Sequence, residues 1–300
     1  MSGLPPPLVA GLLALGALVL VAPGPWWVAR WSFLARVPRA GVVLWQAGAV
    51  AALICVFGVA AIALRTAPAP DGVGSGTSWW SPAVVAAAAG FAVLVAARLI
   101  WSLVRVIAET GARRRRHRTL IDLVADPGAP TGPVGVRVLA ESRPLAYCLP
   151  GLRTSRVVLS AGALAMLGAD ELAAVLAHER AHLRARHDVV LATFDAVHQA
   201  FPHVIRSELP AQQSRLLVEM LADDAAVRAV GAAPLGRALV ALAGSTVPAE
   251  GLGAGPLSTR VRLERLAAAD GRRTGWLSAG VYALALGLVA SPVLALLAAT

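Results

Sequence analysis

The sequence contains no lysine. Its 27 basic residues are all arginine, so the formal charge of +10 has to be read from where arginine stands. Charge of either sign is scarce, at 15% of residues, while 57% are hydrophobic and the mean hydropathy is +0.69. That balance excludes an ordinary soluble domain and places the chain in a membrane. Two cysteines, Cys55 in an apolar run and Cys148 in the polar half, are too few and too differently placed for a disulfide framework. The polar half is therefore expected on a reducing side. No basic segment precedes the first apolar run, 4–22, and further spans follow it, so this run is expected to be a transmembrane helix, not a cleaved signal peptide.

What is present instead is a series of uncharged runs. Residues 1–118 are expected to hold three transmembrane helices, at about 4–22, 41–64 and 82–107, and a fourth is expected at 275–298. Pro5, Pro6 and Pro7 fit only the first turn of the first helix, where missing amide donors do no harm. Between the first two spans lie Trp26, Trp27, Arg30, Arg36 and Arg39, read as a loop at the cytoplasmic interface. The connection 66–81 has one acid, Asp71, and no base, and belongs outside. Arg113-Arg114-Arg115-Arg116-His117-Arg118 follows the third span and returns the chain to the cytoplasm. No aromatic interleaving or binding module accompanies this block, so it reads as a topology anchor and a contact for membrane lipids, with no direct nucleic-acid partner. The expected product is a multi-pass cell-membrane protein with both termini outside. A cytoplasmic α+β domain, 119–272, is inserted between helices three and four.

That domain carries the chemistry. Ala177-His178-Glu179-Arg180-Ala181-His182-Leu183, inside an amphipathic run 169–186, spells His-Glu-x-x-His. Residues four apart share a helix face, so His178 and His182 can grip one metal ion, with zinc expected. Glu179 is offset by roughly 100° and can serve as the general base without ligating. A catalytic zinc site needs a third protein ligand, and a later helix, 216–230, ended by Gly231, presents Glu219 in that role. Asp223, one turn further on, can accept the free ring N–H of a ligating histidine, while Asp224 points elsewhere. Short strands are expected at 134–139, 145–149 and 157–160, and Tyr147, Cys148 and Leu149 are the candidate edge at which a substrate peptide adds as a strand. The oxyanion donor is open among His187, His198, His203 and Arg206. Arg272-Arg273 reads as a charge anchor before the last span, with self-cleavage as the other reading.

The order His-Glu-x-x-His and then Glu-x-x-x-Asp resembles the gluzincin membrane peptidases. The fuller text, Tyr147-Cys148-Leu149-Pro150-Gly151, Val157-Val158-Leu159-Ser160, and 175–183 through Arg186-His187-Asp188, is similar to the BlaR/MecR-type antirepressor membrane metallopeptidase family. That resemblance implies a zinc endopeptidase in signal transduction, cutting a cytosolic protein such as a DNA-binding transcriptional repressor. The chain stops at Thr300, without the extracellular penicillin-binding domain of the beta-lactam sensors, so its input is expected through a partner or the membrane. Membrane heat-shock and prenyl-peptide proteases share the zinc motifs, which gives a processing or quality-control protease as the alternative. A non-catalytic, metal-stabilised transducer or scaffold is the second alternative, and a fourth protein ligand closing the metal site would mark it.

Overall fold

The computed structural model describes residues 4–67, 80–124, 135–151, 155–202, 207–243, 256–268 and 274–299. The elements run α1 (Pro6–Val21), α2 (Pro23–Ala29), a 3-10 turn over Ser32–Arg36, α3 (Pro38–Arg65) and α4 (Pro82–Val124). Then come β1 (Val136–Leu139), β2 (Ala146–Leu149), β3 (Arg156–Ser160), α5 (Ala161–Met166), α6 (Ala169–Arg184) and α7 (His187–Ala200). They close with α8 (Leu209–Val230), α9 (Ala232–Leu242), α10 (Pro256–Ala267) and α11 (Gly275–Ala298). The protein is mostly helical. Among the described residues three helices are long and apolar enough to cross a membrane: α3, the Pro82–Ala112 part of α4, and α11. Helices α1 and α2 make a fourth if the pair, bent by 48°, counts as one span.

The bend corrects one expectation, because the Pro-Trp segment read as a loop is helical. Pro23 and Pro25 stand in the first turn of α2, where an absent N–H leaves no helical bond unmade. Gly24 permits the turn: a side chain there would meet the Val19 carbonyl oxygen at 2.7 Å. Arg30 then lies 4.1 Å over the exposed Trp26 ring, an arrangement suited to an interface.

The chain divides into two compact units, Met1–Leu103 with Phe194–Gln213 and Thr274–Thr300, and Val104–Thr193 with Ser214–Arg273. In the first, α1 and α11 both pack on α3, and Val9, Leu13, Cys55 and Ile62 form one core cluster. Arg98 on α4 donates to the carbonyls of Ala200 and Gln199 at 3.0 Å each, satisfying the last turn of α7.

The second unit holds a three-stranded sheet of order β1-β3-β2. Strand β1 runs parallel to β3, with Val136 opposite Val157, and β2 runs antiparallel to it, with Tyr147 opposite Val158. Ser160 ends β3 and starts α5, its hydroxyl accepting from the Ala163 amide at 3.0 Å, as an N-cap serine does. Helix α6 opens with Asp170 and Glu171 in its first turn, and Glu171 accepts from the Gly168 amide at 3.1 Å. Leu159, Ala163, Val175 and Ala238 bury the sheet side of α6, while Ala174, Ala226 and Leu235 pack its other side, with Leu266 against them. Helix α8 ends at Gly231, whose φ of 91° only glycine adopts readily.

Candidate metal centre

Helices α6 and α8 bring three side chains together. One ligand atom each from His178, His182 and Glu219 lies within 4.8 Å of the others, and all three residues are buried. The two Nε2 atoms are 3.1 Å apart, as the one-turn spacing on α6 dictates. Glu219 reaches across from α8, with Oε2 3.5 Å from Nε2 of His178 and Oε1 3.5 Å from Nε2 of His182. Glu179 is buried in the same cluster of charges, and among the described residues its Oε2 has no hydrogen-bond partner.

Each histidine is held from behind, by different chemistry. Nδ1 of His178 lies 3.1 Å from Oδ1 of Asp223, a bent approach at hydrogen-bonding distance. Nδ1 of His182 faces Nδ1 of His187 at 3.0 Å. His187, one of the oxyanion-donor candidates, is a buried polar residue packed against His182. The reason is backbone: α6 stops at Arg184, and Arg186 takes a left-handed φ of 49°, so the chain turns and the His187 ring meets His182. Of the other oxyanion candidates, His198 faces Ser207 O and Glu208 at 3.1 and 2.9 Å. His203 and Arg206 lie outside the described residues, as do Arg272 and Arg273.

One residue of the cluster escaped sequence reasoning. Arg262 on α10 is buried, and its Nε and Nη2 donate to Oδ2 and Oδ1 of Asp223 at 2.7 and 2.6 Å. Its Nη1 lies 3.0 Å from Oε2 of Glu219. Asp224 instead pairs with Arg265 at 2.7 Å.

Strand β2 packs beside α6 and is an edge of the sheet. The side chains of Tyr147 and Leu149 cluster with Val158 in the core, and Cys148 is turned toward Glu179. Because the Ser160 amide bonds the Leu145 carbonyl, the alternation of an antiparallel ladder aims the backbone groups of Ala146 and Cys148 away from β3. What β2 offers at its open edge is thus backbone.

Electrostatics separate the two histidines. Burial pulls His178 down, but hydrogen bonds to Asp223 and Glu219 outweigh it and raise the ring to about 9. Burial takes His182 down to about 3, against the pull of Glu219. Burial likewise pushes the Glu179 carboxyl up, with Glu219 adding to the rise. Burial would raise Glu219 and Asp223 too, yet His178 and Arg262 hold both below the usual carboxylate range. The Cys148 thiol is pushed up by burial and by Glu179, which makes it a protonated packing residue and no nucleophile.

A divalent metal fits this set. The donors are two imidazole nitrogens and one carboxylate oxygen, the composition of open catalytic sites. Three buried carboxyls, Glu179, Glu219 and Asp223, gather here beside the buried Arg262, a donor set that suits a dication once His178 gives up its proton. No curated protein and no solved structure matches the chain. Residues 111–238, which span the sheet, both metal-facing helices and part of α9, match the model of peptidase family M48, and the chain thus carries a metallopeptidase domain.

Proposed function

We propose that this chain is a zinc-dependent membrane endopeptidase that cuts an extended stretch of a cytosolic protein. The reading is carried by the convergence of His178, His182 and Glu219 into one buried group with Glu179 beside it. His178, His182 and Glu219 would hold the ion, and among the described residues no further His, Cys, Asp or Glu joins the group. Three protein ligands would leave a position for water or substrate, as a catalytic site requires and a closed scaffold site does not.

Zinc bound there supplies Lewis acidity, polarising the scissile carbonyl and acidifying a water near neutral pH. Glu179 takes the proton from the attacking water and delivers it to the leaving amine, a task suited to a carboxyl that burial has pushed up. Asp223 fixes the tautomer of His178, so that Nε2 is the nitrogen offered to the metal. The substrate adds as a strand to β2, bonding the backbone of Ala146 and Cys148, which places its scissile bond beside α6.

Arginine placement supports a cytoplasmic peptidase segment, with 30, 36, 39 and 113–118 on the inside and both termini outside. The antirepressor resemblance supports a DNA-binding repressor as substrate. The apolar helices that flank the peptidase segment in sequence favour a second reading, in which the target is itself a membrane protein cut in processing or quality control. Comparing the proteins of cells carrying the native chain with those carrying Glu179→Ala separates these readings. A soluble DNA-binding protein or a membrane protein that stays intact only with the variant identifies the substrate class, and identical cleavage patterns overturn the peptidase.

A further inference from the structure

Helix α10 lies beyond the matched segment, yet one of its side chains reaches the candidate metal centre. All three terminal nitrogens of Arg262 are spent on two carboxylates of α8: Nε and Nη2 on Asp223, and Nη1 on Glu219. Those carboxylates stand four residues apart on one helix face, where like charges repel, and burial strengthens the repulsion. Without a cation between them, Glu219 and Asp223 would turn apart or take up protons.

We propose that Arg262 is the positioning residue of the metal centre, fixing Glu219 for ligation and Asp223 against His178; the proposal rests on the zinc-site reading above. The geometry supports both halves. By occupying Oε2 of Glu219, Arg262 leaves Oε1, 3.5 Å from Nε2 of His182, as the oxygen free for an ion. By gripping Asp223 with a two-pronged fork, it holds Oδ1 at 3.1 Å from Nδ1 of His178. Arg262 is no substrate contact or oxyanion donor, because its side chain is 5% exposed and its donors are engaged.

A lysine keeps the charge but presents a single ammonium point, so it cannot grip Asp223 in parallel and reach Glu219 as well. Helix α10 has other anchors, Leu266 in the core cluster and Arg265 on Asp224 at 2.7 Å, so Arg262→Lys is expected to keep α10 docked. Arg265→Gln removes a neighbouring ion pair of the same two helices and serves as the structural control.

The full chain is purified in detergent, and three quantities are read: zinc affinity by chelator competition, the visible spectrum of the Co2+-loaded protein, and thermal unfolding of the metal-free protein. If the native chain binds no zinc, the metal-centre reading fails before any variant is compared, and this proposal with it. Given native binding, Arg262→Lys is expected to weaken zinc affinity about 10- to 100-fold and to change the Co2+ spectrum, the usual scale for lost outer-shell support. Arg265→Gln is expected to lower the unfolding temperature at most and to leave both metal readouts native. Equal metal affinity and spectra for Arg262→Lys and the native chain overturn the proposal, as does an equal loss in Arg265→Gln. Should Arg262→Lys fail to fold, the double variant Arg262→Gln with Asp223→Asn removes that buried pair together and is compared with Asp223→Asn alone, in which Arg262 still faces Glu219. Affinity in that double variant equal to that of Asp223→Asn refutes the positioning role, and a further loss of at least tenfold sustains it.

Discussion

Replacing Glu179 by glutamine isolates the proton-transfer step from metal binding. The two side chains have nearly the same shape, but the amide accepts no proton, and Glu179 is not one of the three groups that converge on the candidate metal position. The carboxyl is buried, its Oε2 has no partner among the described residues, and burial lifts its pKa above the usual carboxylate value. A positioned base of that kind contributes about 100- to 10,000-fold, or roughly 3–5 kcal/mol of barrier. Glu179→Gln is therefore expected to lower kcat/KM for a quenched-fluorescent peptide by that factor while one zinc per chain remains bound. Removing a buried, incompletely bonded carboxylate beside Glu219 should also leave the metal-free protein as stable as before, or more so. Initial rates in detergent, metal content by mass spectrometry and thermal unfolding decide the matter together. A glutamine variant that holds zinc and cleaves within tenfold of the native rate would refute the assignment of the base.

Three further outcomes are expected. His182→Ala removes a ligand, so zinc content should fall below one-tenth per chain and cleavage should vanish with it, measured on the same preparations. A strong chelator should abolish cleavage and added zinc should restore it, whereas a rate indifferent to chelation removes the metal from the mechanism. In the metal-free protein His178 is charged up to about pH 9, and zinc requires it neutral. Zinc affinity should therefore climb about tenfold per pH unit below that value and level above it, with close to one proton released on binding at pH 7. The sign for the empty site is the opposite: the raised His178 pKa stabilises the metal-free fold fully below about 6.5, and that contribution is lost as pH rises through about 9. Calorimetric titration in buffers of different ionisation heat measures the proton, and a flat affinity from pH 6 to 9 would contradict the His178–Asp223 contact.

The parts of the site that could be read from sequence are those set by local geometry. One helical turn separates His178 from His182 and Glu219 from Asp223, and a turn's spacing is fixed by the backbone whatever surrounds it. Gly231 was legible for the same reason, since a left-handed C-terminal position answers to its immediate neighbours. The helical Pro23–Ala29 segment was not, because its prolines suit a loop and a first helical turn equally well. The close approach of Gly24 to Val19, which leaves no room for a side chain, is a feature of the folded chain.

Arg262 marks where such reasoning stops. It stands 39 residues beyond Asp223, in a helix with arginines at 260, 262 and 265, and nothing in their spacing says which is buried. Exposed Arg260 satisfies Glu264 within its own helix, Arg265 takes Asp224, and Arg262 alone turns inward. One signal was available in principle. A site holding three acids and two neutral imidazoles leaves one negative charge uncompensated after a dication binds, and a buried charge without a partner is strongly unfavourable. Counting charges therefore demands one further cation near α8, and arginine, which cannot lose its proton and can bond two carboxylates at once, is the residue that meets the demand. The sequence can thus state that such a residue must exist. Only the fold, by bringing α10 against α8 through Leu266 and the Arg265–Asp224 pair, determines that it is Arg262.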